Sequence, residues 1–263
     1  MAYRIYAELG NTNLHAGIWQ DGWVHDCRFT AAPLLSEDAW AEAIRCIVRD
    51  AGQPTDGCES VLLCASTPRR TALLEGIRKA LRVTPRLLGW DLTLAMPVAY
   101  DDPPSFGQDR LLAAFAAAEL VGRPCIVIDA GSCITCEAVT PDGEVLPIAV
   151  APGLRPSCSA LDQVTPHLAA ASEGLDSAEI AAAALPARCT RDSIAQGLHC
   201  QLAGLAAALA AAGRRALHTQ GEVAVVVTGG DGSLLAELIG PSARLEPLLA
   251  LSGLRSLDER GSR

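Results

Sequence analysis

The chain has 263 residues and a net charge of −9; half of its residues are hydrophobic, 19% are charged and 4% are aromatic. The high apolar content is spread along the whole chain and excludes an intrinsically disordered protein. The acidic balance and the scattered basic residues argue against a nucleic-acid-binding protein. Lys79 is the only lysine, and it does not lie in the Gly-Lys-Ser/Thr string that a P-loop kinase requires.

The ten cysteines and the N-terminal residues predict a reduced, cytoplasmic protein. Most of the cysteines lie inside apolar runs, where a free thiol behaves as a small hydrophobic side chain. The N-terminus lacks the basic region and apolar stretch of a signal peptide. The most apolar late segment, Leu198–Ala212, is shorter than a bilayer span and contains His199 and Gln201. We therefore expect no membrane partner.

The first half of the chain alternates strand patterns with helical ones. Strands are predicted over Tyr3–Leu9, Leu14–Trp19 and Trp23–Phe29, with an Asp21-Gly22 turn between the last two. The pattern then predicts a helix over Asp38–Ala51, a strand over Val61–Ala65, a helix over Thr71–Leu81 and a short strand at Leu87-Leu88. Prolines predict an irregular segment over Asp91–Gly107, and a helix follows over Asp109–Val121.

The N-terminal strand pattern begins again at Cys125. Strands are predicted over Cys125–Asp129, Ile134–Val139 and Glu144–Ala151, with an Asp142-Gly143 turn between the last two. Glu8 and Asp129, Gly10 and Gly131, and the two Asp-Gly turns are each 121 residues apart. Strand-turn-strand units are common and acidic residues often end strands, but four positions in one register favour duplication. We predict an α/β fold with two similar domains, residues 1–120 and 121–263.

The rest of the second half is predicted to be mainly helical. Helices are expected over Ala178–Ala184, Thr190–Ala212, Leu234–Ile239 and Pro247–Leu257. One apolar strand, Val223–Val227, interrupts them and ends in Thr228-Gly229-Gly230.

Loops that follow strands in both halves offer groups that suit phosphate. Gly10 lets the backbone approach a ligand, and Asn11, Thr12 and Asn13 supply hydrogen-bonding groups. Glu8 would repel a bare phosphate but could hold one through Mg²⁺ and its waters. Asp129-Ala130-Gly131-Ser132 repeats this arrangement, and Thr228-Gly229-Gly230 is a third turn of the same kind. Each loop taken alone is also compatible with an ordinary turn.

Two further motifs precede helices or strands. In Gly107-Gln108-Asp109-Arg110, Asp109 has two interpretations. It is either a first-turn acid that the helix dipole stabilises by about 1 kcal/mol, or a general base for a substrate hydroxyl. Cys133 and Cys136 form a C-x-x-C without a second pair at zinc spacing, and residues three apart in a strand point to opposite faces. We interpret these cysteines as structural.

The order of these motifs resembles the type III pantothenate kinase family, which includes proteins named Bvg accessory factor. That family belongs to the acetate and sugar kinase, Hsc70 and actin superfamily. Its Asp-x-Gly-Asn-Thr, Tyr-x-Asn-Pro, Gly-x-Asp-Arg, Asp-x-Gly-Thr-Ala-x-Thr, Ala-Pro-Gly and Thr-Gly-Gly motifs are matched in order by Glu8–Thr12, Tyr100–Pro103, Gly107–Arg110, Asp129–Thr135, Ala151–Gly153 and Thr228–Gly230. A family Thr seven residues before a Gly is matched by Thr190 and Gly197.

The resemblance implies two ribonuclease H-like domains with ATP in the cleft between them, and a homodimer. It implies phosphorylation of the primary hydroxyl of pantothenate, the first committed step towards coenzyme A. The implied ATP contacts are Glu8, Leu9, Gly10, Asn11, Thr12, Asn13, Leu14, His15 and Ser132, with Glu8 also holding Mg²⁺ through water. Asp109 is implied as the general base, and Asp129 as the ligand of a monovalent cation, K⁺ or NH₄⁺. The implied pantothenate contacts are Tyr100, Gly107, Gln108, Asp109, Arg110 and Thr190.

The chain departs from the family pattern at several of these positions. Glu8 replaces Asp, Ser132 replaces Thr, Cys133 replaces Ala, and Pro147-Ile148 replaces Gly-Gly. The Glu8 carboxylate stands one methylene further out, and Pro147-Ile148 could close a place where substrate approaches the backbone. Two alternatives to a pantothenate kinase stay open. One is a non-catalytic relative that binds nucleotide or a pantothenate-like ligand and acts through a partner. The other is a kinase of the same superfamily acting on another small hydroxyl compound.

Overall fold

The structure is a computed structural model, and it describes residues 2–31, 36–65, 67, 70–183, 185–219 and 221–261. The chain divides into two compact units. The first comprises Met1–Ala95, Ser105–Ala116 and Ala250–Arg263, and the second Met96–Pro104 and Ala117–Leu249. The predicted boundary between the two duplicated domains, near residue 120, stays a prediction.

The first unit is built on a five-stranded sheet in the order β3-β2-β1-β4-β5. Its strands are β1 (Tyr3–Leu9), β2 (Asn13–Trp19), β3 (Trp23–Thr30), β4 (Cys58–Ala65) and β5 (Arg86–Leu87). β1 to β3 are antiparallel, whereas β4 and β5 run parallel to β1. Helices α1 (Glu37–Asp50) and α2 (Arg70–Leu81) contribute Trp40 and Ile77 to the hydrophobic core on one face of this sheet.

The second unit repeats this topology with a sheet in the order β10-β9-β6-β7-β8. Its strands are β6 (Cys125–Ala130), β7 (Cys133–Val139), β8 (Val145–Pro152), β9 (Ala224–Thr228) and β10 (Ala243–Leu245). Its antiparallel β6-β7-β8 and parallel β9 and β10 correspond strand for strand to the first sheet. The predicted α/β class and the duplication are therefore confirmed.

The connections between the strands differ in length in the two units, although several residues share the 121-residue spacing. The first connection is shorter in the second unit, and the second connection is longer. The first connection spans residues 10–13 between the paired Leu9 and Leu14, but only 131–133 between Ala130 and Ile134. The second spans 20–22 in the first unit and 140–144 in the second. Thr135, not Cys136, therefore stands at the strand position of His15.

Most predicted helices and strands are present, with ends displaced by up to four residues. The remaining helices are α3 (Gln108–Val121), α4 (Leu154–Val164), α5 (Ala169–Ser172), α6 (Ser177–Ala181), α7 (Thr190–Ala216), α8 (Gly232–Ile239) and α9 (Leu249–Gly261). Short 3₁₀ turns cover Thr55–Gly57, Pro103–Ser105 and Pro166–Leu168. The helix predicted over 178–184 is α6, which ends at Ala181; residue 184 lies outside the described residues.

Helix α4 was not predicted, and its first turn explains why. Pro156 lies at its third position, and a proline is usually a helix-breaking signal. A proline is tolerated in the first turn because its missing N–H would have no intrahelical partner there.

Helix α7 corrects the expectation that the late apolar segment is too short to cross a bilayer. With 27 residues it is, by length and composition, the one helix in the described part of the chain that could do so. Its buried residues, however, recur at helical spacing along one face and include Leu198, Leu202 and Leu209 in the core of the second unit. Such a face is typical of a core helix, and the cytoplasmic location stays a prediction.

Helix α9 returns to the first unit, where a buried carboxylate attaches it to the sheet. Asp258 is only 4% exposed. It accepts a hydrogen bond from the Tyr6 hydroxyl at 3.1 Å and pairs with Arg4 at 3.4 Å and Arg86 at 3.0 Å. These contacts join the end of the chain to β1 and β5.

Candidate active site

A row of polar side chains crosses the first sheet near the carboxyl end of β1. Glu8 pairs in register with His15 on β2 and with Cys64 on β4, and His15 pairs with Arg28 on β3. Directly paired residues on neighbouring strands project from the same face of a sheet. This face is therefore polar here, whereas the neighbouring Leu9 belongs to the apolar core beneath α1 and α2.

The predicted general base lies in the same neighbourhood as Glu8. Cys64 is fully buried, and this burial raises the pKa of its thiol well above the usual value. The negative charges of Glu8 and Asp109 raise the pKa of this thiol further. Two carboxylates that are distant in sequence thus act electrostatically on one thiol.

Asp109 is the second residue of α3, and its surroundings hold the carboxylate at the start of that helix. One carboxylate oxygen accepts a hydrogen bond from the Arg110 backbone N–H at 2.9 Å. A Cβ on Gly107 would lie 2.5 Å from the Asp109 Oδ1 atom, so a side chain there would force the carboxylate to move. The Arg110 guanidinium lies 4.5 Å from the centroid of the Phe106 ring. Helix-dipole stabilisation and the role of a base are both compatible with this position.

His15 is buried beside an acidic partner but is neutral at physiological pH. Its Nε2 atom lies 3.6 Å from the Asp26 carboxylate. Burial lowers the pKa of His15 to about 4, and the positive charge of Arg28 acts in the same direction, while Asp26 opposes it. The imidazole therefore supplies a neutral ring rather than a positive charge.

The predicted ATP segment divides into core residues and accessible ones. Leu9, Leu14 and His15 are buried, whereas Asn11 and Asn13 are exposed and Gly10 and Thr12 are half-buried. The turn is closed by a hydrogen bond from the Gly10 N–H to the Asn13 carbonyl at 3.0 Å, and the Thr12 carbonyl accepts one from Ala31 at 2.8 Å. The accessible part of this segment is therefore the half-buried Glu8 and the turn that follows Leu9.

In the second unit, Asp129 occupies the position equivalent to Glu8 and is flanked by two threonines. It pairs with Thr135 on β7 and with Thr228 on β9, so the three side chains project from one face. A carboxylate between two hydroxyls is an oxygen-rich donor set, and oxygen is the ligand atom that hard cations prefer. The residues present therefore fit a monovalent cation.

Two backbone segments, one at Gly153 and one over residues 229–231, pack on the turn after Asp129. Gly153 donates to the Ser132 carbonyl and Asp231 donates to the Ala130 carbonyl, each at 3.0 Å. Gly229 has a φ of +95°, and a Cβ there would lie 2.5 Å from both the Ala130 carbonyl and the Asp129 Oδ1 atom. Helices α4 and α8 begin directly after Gly153 and Asp231. Free N–H groups at helix N-termini favour anions, so this corner suits phosphate.

The other two predicted substrate contacts also belong to the second unit. Tyr100 is 44% exposed, and its segment is joined to β8 by hydrogen bonds between Ala99 and Val145 and between Val145 and Pro97. Thr190 is the first residue of α7 and is exposed. The neighbouring Arg191 holds this helix start through a bidentate pair with Glu179 at 2.8 Å.

The structure explains one departure from the family pattern, the proline at position 147. Pro147 lies on the edge strand β8 opposite Glu137, where the register with β7 shifts between Cys136 and Glu137. Edge strands and bulges are the places where a sheet tolerates proline. Cys133 is exposed and Cys136 is buried, as expected for opposite faces of one strand.

The residues available for Mg²⁺ do not form a cage. In the part of the chain that the structure describes, no group of three or more His, Cys, Asp or Glu is placed to hold a metal ion. Glu8 with Asp109 nearby is a donor set of one or two carboxylates. This fits Mg²⁺ that keeps several waters and is shared with a nucleotide.

Sequence reasoning missed Cys64, Asp26 and the close packing of Gly153 on the phosphate-type turn. The sequence around Cys64 contains no motif that distinguishes it from a structural cysteine in a buried strand. Gly153 carried a signal, because it ends the Ala-Pro-Gly motif and precedes a helix.

The duplicated five-stranded sheets define a class of fold, that of two-domain α/β proteins in which both domains share one strand order. Structures with this fold include a putative Baf family transcriptional activator from Campylobacter jejuni (TM-score 0.61, 16% identity, 98% of each chain). Another is a ROK family glucokinase from Streptomyces griseus in complex with glucose and AMPPNP (TM-score 0.56, 15% identity, 99% of this chain and 100% of that one).

Sequence comparison identifies the particular family. Residues 4–212 match the sequence model described as type III pantothenate kinase. The chain is 30% identical to the type III pantothenate kinase of Geobacter sulfurreducens, covering 96% of this chain and 97% of that protein. It is also 30% identical to that of Moorella thermoacetica, covering 97% and 98%. The chain belongs to the type III pantothenate kinase family and is a kinase.

Proposed function

We propose that this protein transfers the γ-phosphoryl group of ATP to the primary hydroxyl of pantothenate. The observation that supports the proposal is that the charges of Glu8 and Asp109 both raise the pKa of the Cys64 thiol, so both carboxylates act on one place in the first unit. Phosphoryl transfer needs a base for the hydroxyl proton close to a carboxylate that holds the metal of the nucleotide. The identity of the substrates, ATP and pantothenate, is inferred from the family.

In this mechanism Asp109 accepts the proton of the pantothenate hydroxyl while the hydroxyl oxygen attacks the γ-phosphorus of ATP, and ADP leaves. Phosphoryl transfer depends mostly on positioning and on neutralising charge. Magnesium ion supplies positive charge to the phosphates when it is bound, and Glu8 would hold it through water. Gly10 to Asn13 and Ser132 contact ATP, while Tyr100, Thr190 and Gly107 to Arg110 orient pantothenate.

Asp129 is assigned to a monovalent cation, K⁺ or NH₄⁺. The support is its place between the Thr135 and Thr228 hydroxyls, together with the absence of a side chain at Gly229 beside its Oδ1 atom. A lysine-free phosphate site needs such a cation because the only lysine of the chain, Lys79, is paired with Glu37 and Asp38. We further propose a homodimer in the cytoplasm that binds no nucleic acid.

The test is ATP-dependent phosphorylation of pantothenate by purified protein with Mg²⁺, compared in NH₄⁺, K⁺ and Na⁺. We expect turnover that requires NH₄⁺ or K⁺. The D109N variant should lose at least about 100-fold in kcat, whereas D142N, in an exposed turn, should retain it. No turnover by folded wild-type protein in any of the three salts would contradict the proposal and favour a binding protein or a kinase of another hydroxyl compound.

A further inference from the structure

Trp90 differs from the other tryptophans because its indole is 77% exposed. Trp40 is fully buried, and Trp19 and Trp23 pack edge to face with their ring centroids 5.2 Å apart. An exposed indole gains almost none of the free energy that burial of its apolar surface would supply. We therefore infer that the Trp90 indole contacts a partner that is not part of the first unit's core.

The loop that carries Trp90 is held firmly against the start of α3. The Trp90 N–H donates to the Leu87 carbonyl at 3.1 Å, and the Asp91 carboxylate accepts from the Leu87 N–H at 2.8 Å. Gly89 has a φ of +82°, and the Gln108 side chain lies 2.8 Å from where its Cβ would be. The exposed indole therefore stands on a fixed loop that packs against Gln108, the residue before the proposed base.

Arg70 stacks on this indole, and the described part of the chain gives it no acidic partner. Its guanidinium carbon lies 5.5 Å from the centroid of the Trp90 ring. No ion pair among the described residues involves Arg70, whereas Arg78 on the same helix pairs with Glu75. A guanidinium stacked on an aromatic face keeps its N–H edge available for a planar anion, and a carboxylate fits that edge with two hydrogen bonds.

Both residues lie where the parallel strands of the first sheet end. Arg70 begins the helix after β4, and Trp90 lies in the loop after β5. Glu8, near the end of the parallel β1, and Cys64, near the end of β4, lie at the same edge. Open α/β sheets bind ligands at the carboxyl ends of their strands, so this edge carries a cation and an apolar surface as well as Glu8.

We propose that Arg70 and Trp90 form a second part of the acceptor site, which binds the end of the substrate that does not react. This inference rests on the proposed function. Pantothenate carries the reacting hydroxyl beside two methyl groups at one end, and a carboxylate on two methylene groups at the other. The Arg70 guanidinium binds the carboxylate and the Trp90 indole covers the methylene groups next to it, while Asp109 faces the hydroxyl.

The test is steady-state kinetics of R70Q, R70K and W90A against the matched control R78Q. Losing a charge-assisted bidentate contact corresponds to about a 10- to 100-fold change in binding. We expect R70Q to raise the KM for pantothenate by that factor, with kcat and the KM for ATP within twofold of wild type. R70K should recover part of the loss, because lysine keeps the charge but not the fork, and R78Q should match wild type.

A double-mutant cycle separates a shared subsite from two unrelated effects. If Arg70 and Trp90 bind the same substrate molecule as a stacked pair, the KM effects of R70Q and W90A are less than additive in the double variant. A KM for pantothenate within twofold of wild type in R70Q would overturn the inference. So would a loss in W90A that is accompanied by a change of oligomeric state in light scattering, because Trp90 would then lie in an interface between copies.

Failure of this inference is distinguishable from failure of the proposed function. If wild-type protein phosphorylates pantothenate and the Arg70 variants do so with unchanged KM, only the subsite is wrong. If wild-type protein does not phosphorylate pantothenate, the function is wrong and the subsite falls with it.

Discussion

Replacing Gly229 by alanine should destabilise the second unit and disturb Asp129 at the same time. The residue has a φ of +95°, and a Cβ would lie 2.5 Å from the Ala130 carbonyl atoms and from the Asp129 Oδ1 atom. The left-handed conformation alone costs an alanine about 1–2 kcal/mol, and overpacking against fixed atoms costs about 1–3 kcal/mol more. We expect a total loss of about 2–5 kcal/mol in the free energy of unfolding.

A matched glycine separates the two contributions. Gly240 has a φ of +88° with nothing within 4 Å of its hypothetical Cβ, so G240A should show the conformational cost alone. The measurement is urea unfolding of both variants, together with the concentration of K⁺ or NH₄⁺ that half-activates the kinase. G229A should exceed G240A by about 1–3 kcal/mol and should need more cation. Equal losses in the two variants would refute the packing argument at Asp129.

The remaining predictions concern His15 and Asp258. The pKa of His15 is lowered to about 4 in the folded protein from about 6.5 in the unfolded chain, so the unfolded state binds the proton first as the pH falls. The protonation of this group should therefore decrease the free energy of unfolding by up to about 3 kcal/mol between pH 6.5 and pH 4. Urea unfolding at pH 7 and pH 5 should show a smaller decrease for H15Q than for wild type. An equal decrease in the two proteins would contradict the lowered pKa of His15. Removing the buried Asp258 takes a shared partner from the part-exposed Arg4 and Arg86 and leaves the buried Tyr6 hydroxyl without this acceptor, so D258A should lose about 1–3 kcal/mol. The neighbouring E259A, which breaks only an exposed pair with Arg255, should stay within about 1 kcal/mol of wild type in the same unfolding experiment.

Local patterns were sufficient for the strands and for the duplication. Apolar runs of strand length bounded by Gly-containing turns identified β1, β2 and β6, because these signals act within a few residues of one another. The same reasoning could not find the unequal connections after β1 and β6. The connection after β6 is one residue shorter, but the next connection has an additional residue before its Asp-Gly turn, so the Asp-Gly turns remain 121 residues apart.

The candidate site divides in the same way. The order of the motifs predicted which residues carry chemistry, and the chemistry of each side chain suggested its role: a carboxylate for a cation, glycines for close approach of backbone, an acid at a helix start for a proton. These are properties of residue types and of short segments, and they require no knowledge of the tertiary structure.

What the sequence determined by itself is therefore the α/β class, the repeat, the family and the identity of the polar residues at strand ends. Only the tertiary structure decided that Glu8 and Asp109 act on the same buried thiol of Cys64, that the last helix returns to the first sheet, and that Arg70 stacks on Trp90 beside Gln108. The physical reason is that these contacts join segments that are distant along the chain, and they form only when packing of the apolar faces brings the segments together.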